Sequence, residues 1–165
     1  MRLSKKTVAI ILTISLCAMI YVGNLEANRI FPLDYGKIEV ITVENEQTKP
    51  VLGPWTQRRM MGHERNKFVN NINQLAPVKK EKIGDVIKNE ILNAAHYSVR
   101  IIYDPIKNPL RKNHVVRLYF FDDGRILADN DGYTMYEDTS TYYEEFLLFL
   151  EEMHVLCSVE DKVME

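Results

Sequence analysis

The chain opens with the longest apolar run in its pattern. After "MRLSKK", which supplies Arg2, Lys5 and Lys6, residues 7–22 read "TVAIILTISLCAMIYV" without a charge. As an α-helix this run rises roughly 24 Å, and Gly23, Asn24 and Leu25 bring it near the length of a bilayer core. A helix buried in a protein core keeps a polar face, and this run has none. The pattern therefore predicts a transmembrane helix over residues 1–25, with membrane contact through Thr7–Leu25. Positive charge before the run places the N-terminus in the cytoplasm and the following domain outside the cell. A signal peptidase takes small residues at its cleavage site, and Leu25-Glu26-Ala27 puts a large side chain there. Cys17 follows Leu16 in the middle of the run, which does not suit lipidation. The expectation is an uncleaved signal anchor in the cell membrane, with secretion if the segment is cut.

Residues 24–36, "NLEANRIFPLDYG", show no period and contain Pro32 and Gly36, which predicts a linker over 26–36, or a lead-in to the first strand, before a domain over 37–165. "KIEVITVEN" is a strand by its β-branched content. A helix is expected over about 56–75, or from nearer His63 because Gly62 weakens the first half, with Met61, Arg65, Phe68, Ile72 and Leu75 on one stripe and Pro77 ending it. A second helix is expected from about Lys80 to Ala95, with Ile83, Ile87, Ile91 and Ala94 spaced by threes and fours. The period then changes to two. Tyr97, Val99, Ile101 and Tyr103 face one way, and in "VVRLYFF" Val116, Leu118 and Phe120 form the buried face. "RILAD" and "YTMYE" are two further short strands. Thr141-Tyr142-Tyr143-Glu144 fits a capping box opening a last helix, whose apolar stripe is Phe146, Phe149, Leu150, Met153 and Leu156. The order β-α-α-β-β-β-β-α predicts an α+β fold, an antiparallel sheet with helices packed on one face.

Composition narrows the partners. The chain is 46% apolar and 27% charged with a formal charge of −2, which gives no reason to expect nucleic acid. The charge is uneven, with 12 Lys/Arg against 5 Asp/Glu in residues 57–112 and 3 against 13 in residues 113–165. That asymmetry reads as pairing within the fold or as a basic face turned toward an anionic surface. Only Cys157 lies in the exported domain, so no internal disulfide is available.

Two acidic-glycine clusters, Asp122-Asp123-Gly124 and Asp129-Asn130-Asp131-Gly132, raise the question of calcium. An EF-hand loop needs oxygen ligands at positions 1, 3 and 5 before the glycine at 6. Leu127 or Tyr119 falls at position 1, so the motif fails in both registers. Asp-Gly pairs between alternating runs predict hairpin turns instead. His63 begins "HERNK", but Lys67 stands where a zinc protease needs its second histidine. His154 and Cys157 share a helical stripe and supply two metal ligands without partners. No nucleophile elbow, phosphate loop or C-x-x-C is present, so no catalytic, metal or cofactor site is assigned. Trp55 reads as a core plug or a membrane anchor.

Binding candidates come from the strand pattern. If Val116, Leu118 and Phe120 are inside, Arg117, Tyr119 and Phe121 share the opposite face, which is open unless the linker or first helix covers it. The basic Pro-rich loop adds Lys107, Arg111 and Lys112. The layout, "MRLSKK" and its apolar run followed by one small α+β domain, resembles small membrane-anchored extracytoplasmic proteins of unknown function from Gram-positive bacteria. That resemblance implies location alone. The expected function is an extracytoplasmic binding module for an envelope protein, a secreted peptide or a wall component. The alternative is an envelope hydrolase with a site assembled from dispersed His, Asp and Ser residues.

Overall fold

A computed structural model describes residues 5–27, 29–45, 57–84 and 94–163. Helix α1 covers Lys5–Ala27. Its Lys6–Gly23 stretch is long and apolar enough to cross a membrane, and none of it is buried against the rest of the chain. Ile10, Leu12, Ile14 and Met19 all stand exposed. The Thr13 hydroxyl donates to the Ala9 carbonyl at 3.0 Å, which removes a polar cost of leaving water.

The stretch expected as a linker is part of the fold. Ile30 and Leu33 are buried in the main core. The Asn73 side chain accepts from the Leu33 amide at 2.7 Å and donates to its carbonyl at 2.9 Å. Asp34 then caps a 3-10 turn over Tyr35–Lys37 by accepting from the Gly36 amide.

The domain is built on one antiparallel sheet of seven described strands. These are β1 (Ile38–Asn45), β2 (Gln57–Arg59), β3 (Val78–Ile83), β4 (Tyr97–Tyr103), β5 (Val115–Phe120), β6 (Arg125–Asp129) and β7 (Tyr133–Glu137). Their order across the sheet is β2-β1-β4-β5-β6-β7-β3. Helices α2 (Gly62–Gln74) and α3 (Tyr143–Val163) complete the described elements. The α+β class and the antiparallel sheet agree with the sequence pattern, and two boundaries do not. Residues 57–59, expected at the start of a helix, pair with β1 as an edge strand. Helix α2 starts at Gly62, in agreement with the later of the two expected starts, where Glu64 accepts from the Met61 amide at 2.8 Å. Lys80–Ile83, expected at the start of the second helix, are strand, paired with β7 along the other edge. Lysines on an exposed edge strand discourage a further chain from pairing, and they also mimic a solvated helix face. Residues 85–93 of that expected helix, and Trp55, lie outside the described residues.

Alternation of side chains gives the sheet two faces. On the first, Val99, Ile101, Leu118, Phe120, Ile126 and Ala128 meet Phe68, Val69 and Ile72 of α2 and Phe146, Leu150 and Met153 of α3. The rings of Phe120 and Phe146 are 5.1 Å apart, and those of Phe68 and Phe146 5.7 Å. On the second, a smaller buried cluster joins Ala95, Tyr119, Phe121, Leu127 and Met135, with Ile83 and Tyr133 against it.

Both acidic-glycine clusters are hairpin turns. Gly124 and Gly132 take φ values of 86° and 115°, and Asp131 one of 58°, the left-handed region that favours glycine and tolerates aspartate. The Asp123 carboxylate accepts from the Arg125 amide at 3.1 Å and from its guanidinium at 2.7 Å. Burial alone would raise the Asp123 carboxyl, but these Arg125 contacts hold it below the usual range. The expected capping box at Thr141 is not formed. The approach to α3 is turned by Asp138, which accepts from the Ser140 amide and hydroxyl, and by Ser140, which accepts from the Tyr142 amide. Two aspartate-type turns in series leave the Thr141 side chain exposed instead of capping the helix.

Candidate functional site

The side chains singled out for binding go to different places. Arg117, Tyr119 and Phe121 do share a face, and the Arg117 guanidinium donates to the Tyr119 hydroxyl at 3.3 Å. That face is not open at its β5 end: Tyr119 is 7% exposed and Phe121 2%. Both belong to the second buried cluster, so their rings hold the sheet and are not presented to a partner. Arg111 is also buried, at 4% exposure. Its guanidinium lies 3.9 Å from the centre of the Tyr103 ring. It donates to the carbonyls of Asn113 at 2.8 Å and Arg29 at 3.0 Å. Burial lowers its pKa, with partial compensation from Tyr103. Arg111 is thus a strut between the 104–114 loop and the segment after α1. Lys107 is exposed and lies 3.8 Å from Asp104. Lys112 is exposed and lines a crevice described below.

Two sizeable concave surfaces stand out among the described residues. The first is a groove of about 460 Å³ on the second face of the sheet, lined by Arg100, Ile102, Asn113, Val115, Arg117 and Asp129. It occupies the part of that face beyond the Tyr119 cluster. Register makes its chemistry unusual. Arg100 sits directly across from Arg117, and Arg117 directly across from Asp129. On the far side Arg100 faces Thr42, which puts Glu44 on the diagonal. Like charges directly opposite on antiparallel strands repel. Arg100 was not among the expected residues, although the alternation of "YSVRIIY" places it on the outward face. Its partner across the sheet is a property of register and has no local signal.

The second is a crevice of about 770 Å³ between the end of α1, the 29–31 segment, β3 and the β6–β7 turn. Arg29, Lys79, Lys82 and Lys112 line it, with one carboxylate, Asp131. Phe31 and Tyr136, packed edge to face at 5.0 Å, line it too.

Elsewhere the titratable groups are scattered. His96 approaches the exposed Asp122 to 3.8 Å, His63 is exposed and His114 half-buried. Among the described residues there is no group of three or more His, Cys, Asp and Glu side chains placed to hold a metal. The side chains of His154 and Cys157 lie outside the described residues. No protein-family model, curated protein or solved structure matches this chain.

Proposed function

We propose that the chain is a single-pass, membrane-anchored binding module that holds a partner outside the cell against the groove at Arg100 and Arg117. The anchor is supported by α1, none of whose apolar stretch is buried in the domain, and by the cations that precede it. The binding half rests on one observation, the two arginines set opposite each other in an open groove. Register brings these like charges together at a cost in repulsion. A carboxylate lying between the two guanidinium groups replaces repulsion with forked, charge-assisted hydrogen bonds. Ile102 and Val115 offer apolar contact beside it, and Asp129 accepts from a donor. A segment of an envelope protein or a secreted peptide carrying a carboxylate next to an apolar side chain fits this lining.

The test is site-specific photo-crosslinking in intact cells from Ile102, with capture through a C-terminal tag. One partner in near-equal amount, lost with Arg117→Gln while the melting temperature holds, is the expected result. Adducts no different from those made from Leu148, exposed on α3, would remove the groove from the account.

A further inference from the structure

The larger crevice lies where a bilayer surface would be. Tyr21 and Leu25 of α1 form one of its walls, and the apolar stretch of the helix ends at Gly23. Arg29 is six residues further on, at most roughly 20 Å of extended chain and about 9 Å of helix. The headgroup layer adds about 5–7 Å to each side of the hydrocarbon core. A tyrosine at the end of a membrane helix is the usual marker of that layer. The backbone reinforces the placement, since a Cβ added at Gly23 would lie 3.7 Å from the Leu110 side chain. The 104–114 loop therefore rests against the end of α1.

The cations come from three separate stretches of chain. Lys79 and Lys82 project from β3, opposite Tyr136 and Thr134 of β7. Lys112 arrives on the Pro-rich loop and Arg29 on the segment after α1. The buried Arg111 joins the last two, through its hydrogen bond to the Arg29 carbonyl. Four cations against one carboxylate are thus assembled in a concave site whose other walls are aromatic and apolar. This composition suits a phosphate diester with attached acyl chains: the phosphate among the cations, the glycerol near Tyr21 and the chains along α1.

We infer that this crevice binds the headgroup of an anionic phospholipid of the leaflet into which the C-terminal end of α1 emerges. The inference rests on the reading of α1 as a membrane span. It adds a lipid site distinct from the partner groove, and it gives the excess of basic residues in 57–112 a use. Binding orients the domain, bringing β3 and the β6–β7 turn toward the bilayer.

The test uses the full chain purified in a neutral detergent and reconstituted into phosphatidylcholine vesicles with or without phosphatidylglycerol. Alkaline carbonate extraction first asks whether the chain is integral to the vesicles. Native mass spectrometry of the detergent-solubilised chain then compares retained phosphatidylglycerol with retained phosphatidylcholine, and soluble glycerol phosphate is added as competitor. A cation near an anionic surface is worth roughly a fivefold gain in binding. The variant Lys79→Gln/Lys82→Gln/Lys112→Gln is therefore expected to retain at least about tenfold less phosphatidylglycerol. All three side chains are exposed, so its melting temperature should stay near that of the unaltered chain. Lys80→Gln, which removes one cation of the same strand, the residue paired with Glu137, is expected to change nothing. Equal retention of the two lipids, or equal losses in the triple variant and Lys80→Gln, would overturn the crevice while leaving the anchor in place. Competition by glycerol phosphate at equal concentration would overturn the lipid in favour of a soluble phosphate. Release of the unaltered chain by carbonate would overturn the anchor reading and this proposal with it.

Discussion

Replacing Arg100 with threonine should make the protein more stable and less able to bind. Cross-strand partners have Cβ atoms about 5 Å apart. Two like unit charges held at about that spacing, in the high effective dielectric of an open groove, repel by about 1 kcal/mol. Asp129 across from Arg117 and Glu44 on the diagonal from Arg100 return part of this. The remainder, about 0.5 kcal/mol, lies within the range for like charges on adjacent strands. For a domain of this size that amounts to a rise of roughly 2 °C in melting temperature. Thermal unfolding of the full chain in neutral detergent, followed by intrinsic fluorescence at low salt and in 1 M salt, reads it directly. At about 1 M salt the screening length shrinks to about 3 Å, so the gain from Arg100→Thr should largely disappear. Arg100→Lys keeps the charge and should show no gain, yet it loses the planar fork and should lose crosslinked partner. A fall in stability of about 1 kcal/mol or more on Arg100→Thr would mean that Arg100 is held by a structural partner. A gain unaffected by salt would show that repulsion is not its cause. Either result refutes the reasoning.

Three further outcomes test the fold that carries these surfaces. Arg58 donates to Glu64 at 2.7 Å and to the Met153 carbonyl at 2.6 Å, tying β2 to both α2 and α3. Arg58→Ala leaves the buried Glu64 carboxylate without its cation and should cost about 2–4 kcal/mol; a double-mutant cycle with Glu64→Gln should give a coupling above about 1 kcal/mol. Phe120, fully buried between Phe68 and Phe146, should cost about 3–5 kcal/mol as Phe120→Ala, whereas Leu148→Ala on the exposed face of α3 should stay within about 0.5 kcal/mol. The Tyr97 phenol is pushed up to about 12 by burial and by the neighbouring Glu151. Its contribution is fully present below the unfolded value near pH 10 and is lost as pH rises through about 12. Tyr97→Phe should flatten that part of the alkaline unfolding curve.

What the sequence made legible is what depends on local period. The apolar run of α1, the alternation of β4 through β7 and the glycine turns between them carry their own signals. The assignment of Val116, Leu118 and Phe120 to one face and Arg117, Tyr119 and Phe121 to the other follows from the same alternation. What it left hidden depends on pairing. Gln57-Arg58-Arg59 becomes a strand only because β1 offers an edge, and "VKKEKI" becomes one because β7 does. The burial of Tyr119 and Phe121 is a tertiary fact, since alternation says which residues share a face and not whether that face is covered. Arg111 looked like a binding cation because the loop around it is polar and Pro-rich; its stacking on Tyr103 makes it a strut. The same limit applies to both candidate sites, because Arg100 meets Arg117 through register and the crevice draws cations from three distant segments.

The most direct test of the account is the topology of the chain in intact cells. In a background with Cys17→Ser and Cys157→Ser, single cysteines are introduced as Leu148→Cys on the exposed face of α3 and as Ser4→Cys before the apolar run. A membrane-impermeant maleimide should label Leu148→Cys without lysis and Ser4→Cys only after it, with both proteins in the membrane fraction. Protection of Leu148→Cys until lysis, or recovery of the labelled domain free of the membrane, would contradict the reading of this protein as an anchored extracytoplasmic module.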